Sequence, residues 1–191
     1  MQIRKAVKND ARALAELIDL AGDGIPSYLW QQMKADNQTV LEFGEQRAAR
    51  EEGGFSYSQA WVAEQDGEVS AMVLGYVQPD PYDLDEINDA PEYLYPIIEL
   101  EALAPGSWYV NALATFDQFQ GKGLGSQLLS TVNEAAIAEG CAELSLIVSS
   151  ENSNAKRLYE KLGFIERSCK PIIQIPGLAH SGNWILMIKE S

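Results

Sequence analysis

Gly121, Gly123 and Gly125 stand between a strand-like apolar run, Trp108 to Leu113, and a helix-like run, Ser126 to Ala138. The chemistry open to such a segment is anion binding. The first amides of a helix have no intrahelical acceptor, and the helix dipole adds about half a positive charge there. Glycine accepts positive φ and lets a phosphate approach the backbone closely. Gln120, Gly121, Lys122, Gly123, Leu124, Gly125 and Ser126 therefore read as a phosphate cradle. Two common spacings fail. A Walker A loop needs Ser or Thr after its lysine, and Lys122 is followed by Gly123. The dinucleotide pattern G-x-G-x-x-G, started at Gly121, meets Ser126 at its sixth position. The spacing that fits is [QR]-x-x-G-x-[GA], through Gln120, Gly123 and Gly125.

A second constellation lies downstream. Asn152, Ala155, Leu158, Tyr159, Gly163 and Phe164 fit N-x-x-A-x-x-L-Y-x-x-x-G-F, with Gly163 ending a helix read over Asn152 to Leu162. Together with Leu113 to Gly125, this segment resembles the acetyl-CoA motifs of the GNAT N-acetyltransferase superfamily. The close resemblance covers about residues 105–170, and the preceding residues agree in element order.

The resemblance implies one α/β domain over residues 1–191 of the GNAT fold: a mixed central β-sheet with splayed central parallel strands, flanked by helices. It implies acetyl-CoA as co-substrate and direct acetyl transfer to a primary amine, on a small cationic molecule or a protein. Pantetheine would pair with backbone groups near Leu113 and Thr115, and the pyrophosphate would sit on the amides of Gln120 to Ser126. Tyr159 is the implied catalytic residue, because aminolysis of a thioester expels a thiolate that a phenol can protonate or stabilise. Asn152 is implied to contact the pantetheine arm, although a helix N-cap is equally in character for Asn. Lys156 on the first helical turns is placed to meet the phosphates; Arg157 is expected in solvent. The family often carries Arg where Gln120 stands, so charge assistance is weaker here unless Lys122 compensates. A non-catalytic acyl-CoA sensor on the same fold is the alternative, against which the retained Tyr159 speaks.

The general base is open. Glu99 and Glu101 lie in an apolar stretch that favours raised carboxylate pKa values, but solvated or structural acids are the plainer reading. Asn111 would orient substrate. Tyr28, Trp30, Tyr82, Tyr93 and Tyr95, mixed with acids, fall where the resembled fold builds its acceptor wall, and suit a cationic amine.

The elements that must position these residues follow from periodicity and turn signals. Strands are expected over Gln2–Val7, Gln59–Gln65, Val69–Val77, Trp108–Leu113, Ala142–Val148, Phe164–Arg167 and Trp184–Lys189. Helices are expected over Ala11–Leu20, capped by Asn9 or Asp10, then Ser27–Met33, Thr39–Arg50, Ser126–Ala138 and Asn152–Leu162. Asp66-Gly67 signals a hairpin. Pro79 to Pro96, with Asp80, Asp83, Asp85, Glu86, Asp89 and Glu92, reads as an inserted acidic and aromatic loop, and Gly177–Gly182 as another loop holding His180.

The 191 residues are 46% hydrophobic, enough for one substantial core. A net charge of −14 argues against a nucleic-acid surface and favours cationic partners. The two cysteines, Cys141 and Cys169, and the single His180 do not make a metal site. No apolar run reaches the length of a membrane span, and the start Met1-Gln2-Ile3-Arg4-Lys5 has no signal-like apolar region, so a cytoplasmic protein is expected. A homodimer is compatible with this reading; the sequence does not set the oligomeric state.

Overall fold

Seven strands and six α-helices form among the described residues, 1–178 and 180–191 of the computed structural model. Ala179, in the loop expected over Gly177–Gly182, lies outside the described residues. The strands are β1 (Gln2–Lys5), β2 (Ala60–Gln65), β3 (Glu68–Val77), β4 (Trp108–Thr115), β5 (Glu143–Ser149), β6 (Ile165–Pro171) and β7 (Asn183–Glu190). Their hydrogen-bonding order is β1-β2-β3-β4-β5-β7-β6, a mixed sheet. The helices are α1 (Ala11–Ala21), α2 (Ile25–Met33), α3 (Val40–Ala48), α4 (Tyr95–Glu101), α5 (Leu124–Ala138) and α6 (Ser153–Lys161). Among the described residues no helix is long and apolar enough to cross a membrane. The chain divides into two compact units, Met1–Gly75 with Ala112–Thr131, and Tyr76–Asn111 with Val132–Ser191.

In the first unit, β1 and β2 pair antiparallel, and β2 returns into β3 through Asp66-Gly67. Both turn residues have positive φ, 53° and 85°, the backbone that a two-residue hairpin needs. α1 buries Leu14, Leu17 and Ile18 on one face, as their spacing predicts, and packs against α2 and α3. Thr39 caps α3 through a reciprocal pair: its hydroxyl accepts from the Glu42 amide at 3.2 Å, and its own amide donates to Glu42 Oε2 at 2.7 Å. Gly44 in that helix faces the Trp30 ring so closely that any Cβ there would overlap it.

Asp10 departs from the sequence expectation. It occupies the N-cap position of α1 but makes no cap hydrogen bond to that helix. Its carboxylate instead accepts from the Val7 amide at 2.8 Å and from two Arg4 nitrogens at 2.7 and 3.0 Å. A bidentate guanidinium outbids a neutral amide for a carboxylate.

In the second unit, β4 and β5 pair in parallel from Trp108 and Leu144 to Val110 and Leu146. β5 pairs antiparallel with β7 along its full length, and β7 with β6. Ser107, just before β4, and Ser145 on β5 are buried and share a 2.6 Å hydroxyl hydrogen bond. The expected loop over Pro79–Pro96 contains 3-10 turns at Leu84–Asp89 and Glu92–Leu94. It runs directly into α4, an element the sequence reading did not assign. Pro96 at the first turn, where no intrahelical N–H is required, begins it. α4 packs on β5, β6 and β7.

The Arg4–Asp10 pair makes the first unit acid-sensitive. Burial raises the Asp10 pKa, but hydrogen bonds from Arg4 and Val7, with the Arg4 charge, outweigh it and hold the carboxyl below its ordinary 3.8. A depressed carboxylate stabilises the fold above the unfolded value and loses that contribution as pH falls through the folded one. Asp10→Asn is expected to cost about 1–3 kcal/mol near neutral pH by urea unfolding. The gap between wild type and variant should close as the pH falls below 3.8.

Candidate active site

The glycine segment lies in the first unit. β4 places Leu113 and Thr115 on one face, half-buried, alternating with buried Ala112 and Ala114. After the strand, the Phe116 amide donates to Ser70 O at 3.1 Å, and a 3-10 turn over Asp117–Phe119 redirects the chain toward α5. Gly121 and Gly123 then adopt φ of +74° and +77°. A Cβ on Gly121 would meet nothing within 4 Å, and one on Gly123 only Gln127 Nε2 at 4.0 Å. Backbone conformation demands glycine at both positions, and the space above them is open for a ligand. The helical ladder starts with the Gln127 amide donating to Gly123 O at 3.2 Å, so the amides of Leu124, Gly125 and Ser126 belong to the first turn, which helix geometry leaves without intrahelical acceptors. Leu124, Leu128, Leu129 and Val132 are buried and fix the helix beneath that turn.

The two polar side chains of the segment work differently from a simple phosphate clamp. Gln120 Nε2 donates to Thr115 O at 3.3 Å and to Asp117 Oδ1 at 2.9 Å, bracing the loop from within. Lys122 lies over the Phe119 ring, its Nζ 5.0 Å from the centroid. The sequence did not show the cleft of about 360 Å³ beside this loop, lined by Glu16, Asp19, Leu20, Phe116, Asp117 and Gln118. Its lining comes from segments about a hundred residues apart, so no local pattern marks it.

The second unit holds Asn152, Lys156 and Tyr159. Asn152 is the N-cap of α6, its Oδ1 accepting from the Ala155 amide at 3.1 Å. The cap uses the oxygen; the side-chain nitrogen has no partner among the described residues. Lys156 pairs with Glu166 at 3.3 Å on the surface, and Arg157 is exposed as expected. Tyr159 is buried at 8% exposure, its ring edge-on to Phe164 with centroids 5.8 Å apart. Its hydroxyl has no hydrogen-bond partner among the described residues. Burial alone pushes its pKa up to about 12. The hydroxyl is not among the polar atoms sealed from solvent, so the ring is buried while its oxygen stays within reach of water or a ligand.

Of the two candidate bases, Glu99 is taken by Lys170 at 2.7 Å. Glu101 accepts from Tyr82 Oη at 2.8 Å and from Tyr109. Trp30, expected on the acceptor wall, is a core residue at 4% exposure, held by its contact with Gly44. Tyr28, Tyr82, Tyr93 and Tyr95 are half-buried.

Comparison with known proteins bears on the family and the fold. The model of the acetyltransferase (GNAT) family matches residues 26–164, more than half of the chain. An uncharacterized N-acetyltransferase, YycN, of Bacillus subtilis is 34% identical over 58 residues, 30% of this chain and 37% of that protein. The chain thus spans little more than a third of that curated relative's length. A crystal structure described as an acetyltransferase superposes with a TM-score of 0.69 at 23% identity, covering 100% of this chain and 99% of the other. The Salmonella typhimurium acetyltransferase yncA, solved with acetyl-CoA, gives a TM-score of 0.60 at 21% identity, covering 100% and 93%. These structural likenesses show the fold.

Gly123→Val separates backbone strain from ligand exclusion. The variant is expected to lose about 1–2 kcal/mol of stability from the left-handed φ. Its affinity for coenzyme A, titrated calorimetrically, should fall at least about 100-fold, because the branched side chain fills the open approach to the amides. An unchanged dissociation constant would remove the loop from the binding site.

Proposed function

The chain belongs to the acetyltransferase (GNAT) family, an acyltransferase with acetyl-CoA as co-substrate, and from that premise we propose that it moves the acetyl group directly to a primary amine. We read the two units as parts of one acetyltransferase domain, because the matched residues 26–164 draw on both. The amides of Gln120 to Ser126 hold the pyrophosphate, and backbone groups of Leu113 and Thr115 pair with pantetheine. Asn152 donates its unused side-chain nitrogen to the same arm. Lys122 adds a cation at the rim of the loop. Lys156 exchanges its surface pair with Glu166, worth about 0–1 kcal/mol, for a phosphate.

The observation that carries the reading is Tyr159, its ring buried and its reachable hydroxyl without a hydrogen-bond partner among the described residues. Attack of a neutral amine on the thioester carbonyl forms the C–N bond and expels the thiolate as the C–S bond breaks. Tyr159 donates its proton to the sulfur and is reprotonated from the nitrogen, through solvent. A module that only bound acetyl-CoA has no use for that donor.

Tyr159→Phe tests the assignment, since it keeps the ring packed on Phe164 and removes only the hydroxyl. The turnover number in a thiol-release assay over an amine panel should fall about 10- to 100-fold, with the coenzyme A dissociation constant moving less than about two-fold. An equal loss in both would sink the role. An acid is active while protonated, and the pKa of about 12 keeps Tyr159 so. The turnover number should therefore show no descending limb between about pH 6 and about pH 10.

A further inference from the structure

The proposed reaction leaves unused a polar cluster within the second unit. Tyr109 and Asn111 share one face of β4, with Val110 on the other. Asn111 Nδ2 donates to Tyr76 Oη at 3.0 Å, and the Tyr76 and Tyr109 rings meet edge-on at 5.9 Å and 69°. Glu101, at the end of α4, accepts from Tyr82 Oη at 2.8 Å and from the buried phenol of Tyr109. α4 is itself moored to β6 by the Glu99–Lys170 pair at 2.7 Å. The result is a half-exposed carboxylate held by two phenols, Tyr82 and Tyr109, with Tyr76 packed behind Tyr109.

Two features of this cluster name its ligand. Phenols that donate to a carboxylate orient it without neutralising it, so its negative charge remains to face a cation. The half-buried Tyr82 ring, joined to that carboxylate through its hydroxyl, gives an alkylammonium an aromatic neighbour. The net charge of −14 draws cations toward the protein.

We propose that Glu101, with Tyr82 and Tyr109, holds a second, protonated amine of the acceptor, so that the preferred acceptors are short diamines or longer polyamines. This rests on the acetyl-transfer reading above and assigns Glu101 to binding and specificity, not to proton abstraction.

Calorimetric titration with 1,4-diaminobutane in the presence of coenzyme A needs no turnover. Wild type should bind the diamine, Glu101→Gln should bind it at least about ten-fold more weakly, and Tyr82→Phe about two- to five-fold more weakly. Equal affinities in wild type and Glu101→Gln, or no binding by wild type, overturn the proposal. Tyr82→Phe provides the answer should Glu101→Gln fail to fold. In turnover, the ratio of kcat/KM for 1,4-diaminobutane to that for 1-aminobutane should be about ten or more in wild type and near one in Glu101→Gln. The same ratio in both also overturns it. If no amine releases coenzyme A, acetyl transfer is what fails, and the calorimetric result still decides the cluster.

Discussion

An amide in the first turn of a helix has no acceptor within that helix, and the residues around the start of α5 are arranged to keep those amides open to a ligand. Gly121 and Gly123 take left-handed backbone at φ +74° and +77°, turning the chain without placing a side chain over the donors. Gln120 spends its amide on Thr115 O and Asp117, so it stiffens the loop from behind. Leu124, Leu128 and Leu129 hold the helix into the core. The side chains that a motif reading assigns to the phosphates mostly shape the backbone here, and on the proposed reading the binding chemistry falls to peptide dipoles.

Tyr159 shows the same division of labour in the second unit. Asn152 caps α6, Gly163 ends it at φ +93°, and the Phe164 ring meets Tyr159 edge-on. Three local devices thus fix the phenol, and burial then raises its pKa to about 12. That value keeps the proton on the oxygen in the free protein. On the proposed reading it is shared with a developing thiolate and replaced from the amine nitrogen, because a thiolate, whose conjugate acid titrates at about 8.5, is a weaker base than the phenolate.

The legible parts of the sequence were those whose cause is local. Positive-φ glycines, the Asn152 cap and the Asp66-Gly67 hairpin are each specified within a few residues and stand as read, and the Thr39–Glu42 capping box, which the sequence reading did not draw, is equally local. The parts that stayed hidden depend on partners far along the chain. Glu101 meets Tyr82 nineteen residues away, Trp30 is fixed by Gly44, and Asp10 is captured by Arg4 from the helix it was expected to cap. α4 was missed because Pro96 and two interleaved acids imitate loop composition; its packing on β5, β6 and β7 makes it a helix. Tertiary contacts override weak local preference in this way whenever burial exceeds the few tenths of a kcal/mol per residue that propensity supplies.

On the proposed reading the protein accepts an anionic and a cationic ligand while itself carrying a net charge of −14. A lysine-rich anion site would partly cancel the field that attracts the amine. Peptide dipoles avoid the conflict: they act only within the first helical turn and add no net charge. The cation site relies on the opposite property, since a carboxylate stabilised by neutral phenols keeps its full charge. Dissolved salt accordingly works on the two ligands in opposite senses, screening the repulsion of one and the attraction of the other. Local dipoles for the anion and net charge for the cation let one acidic chain serve both without a metal or an arginine clamp entering the scheme.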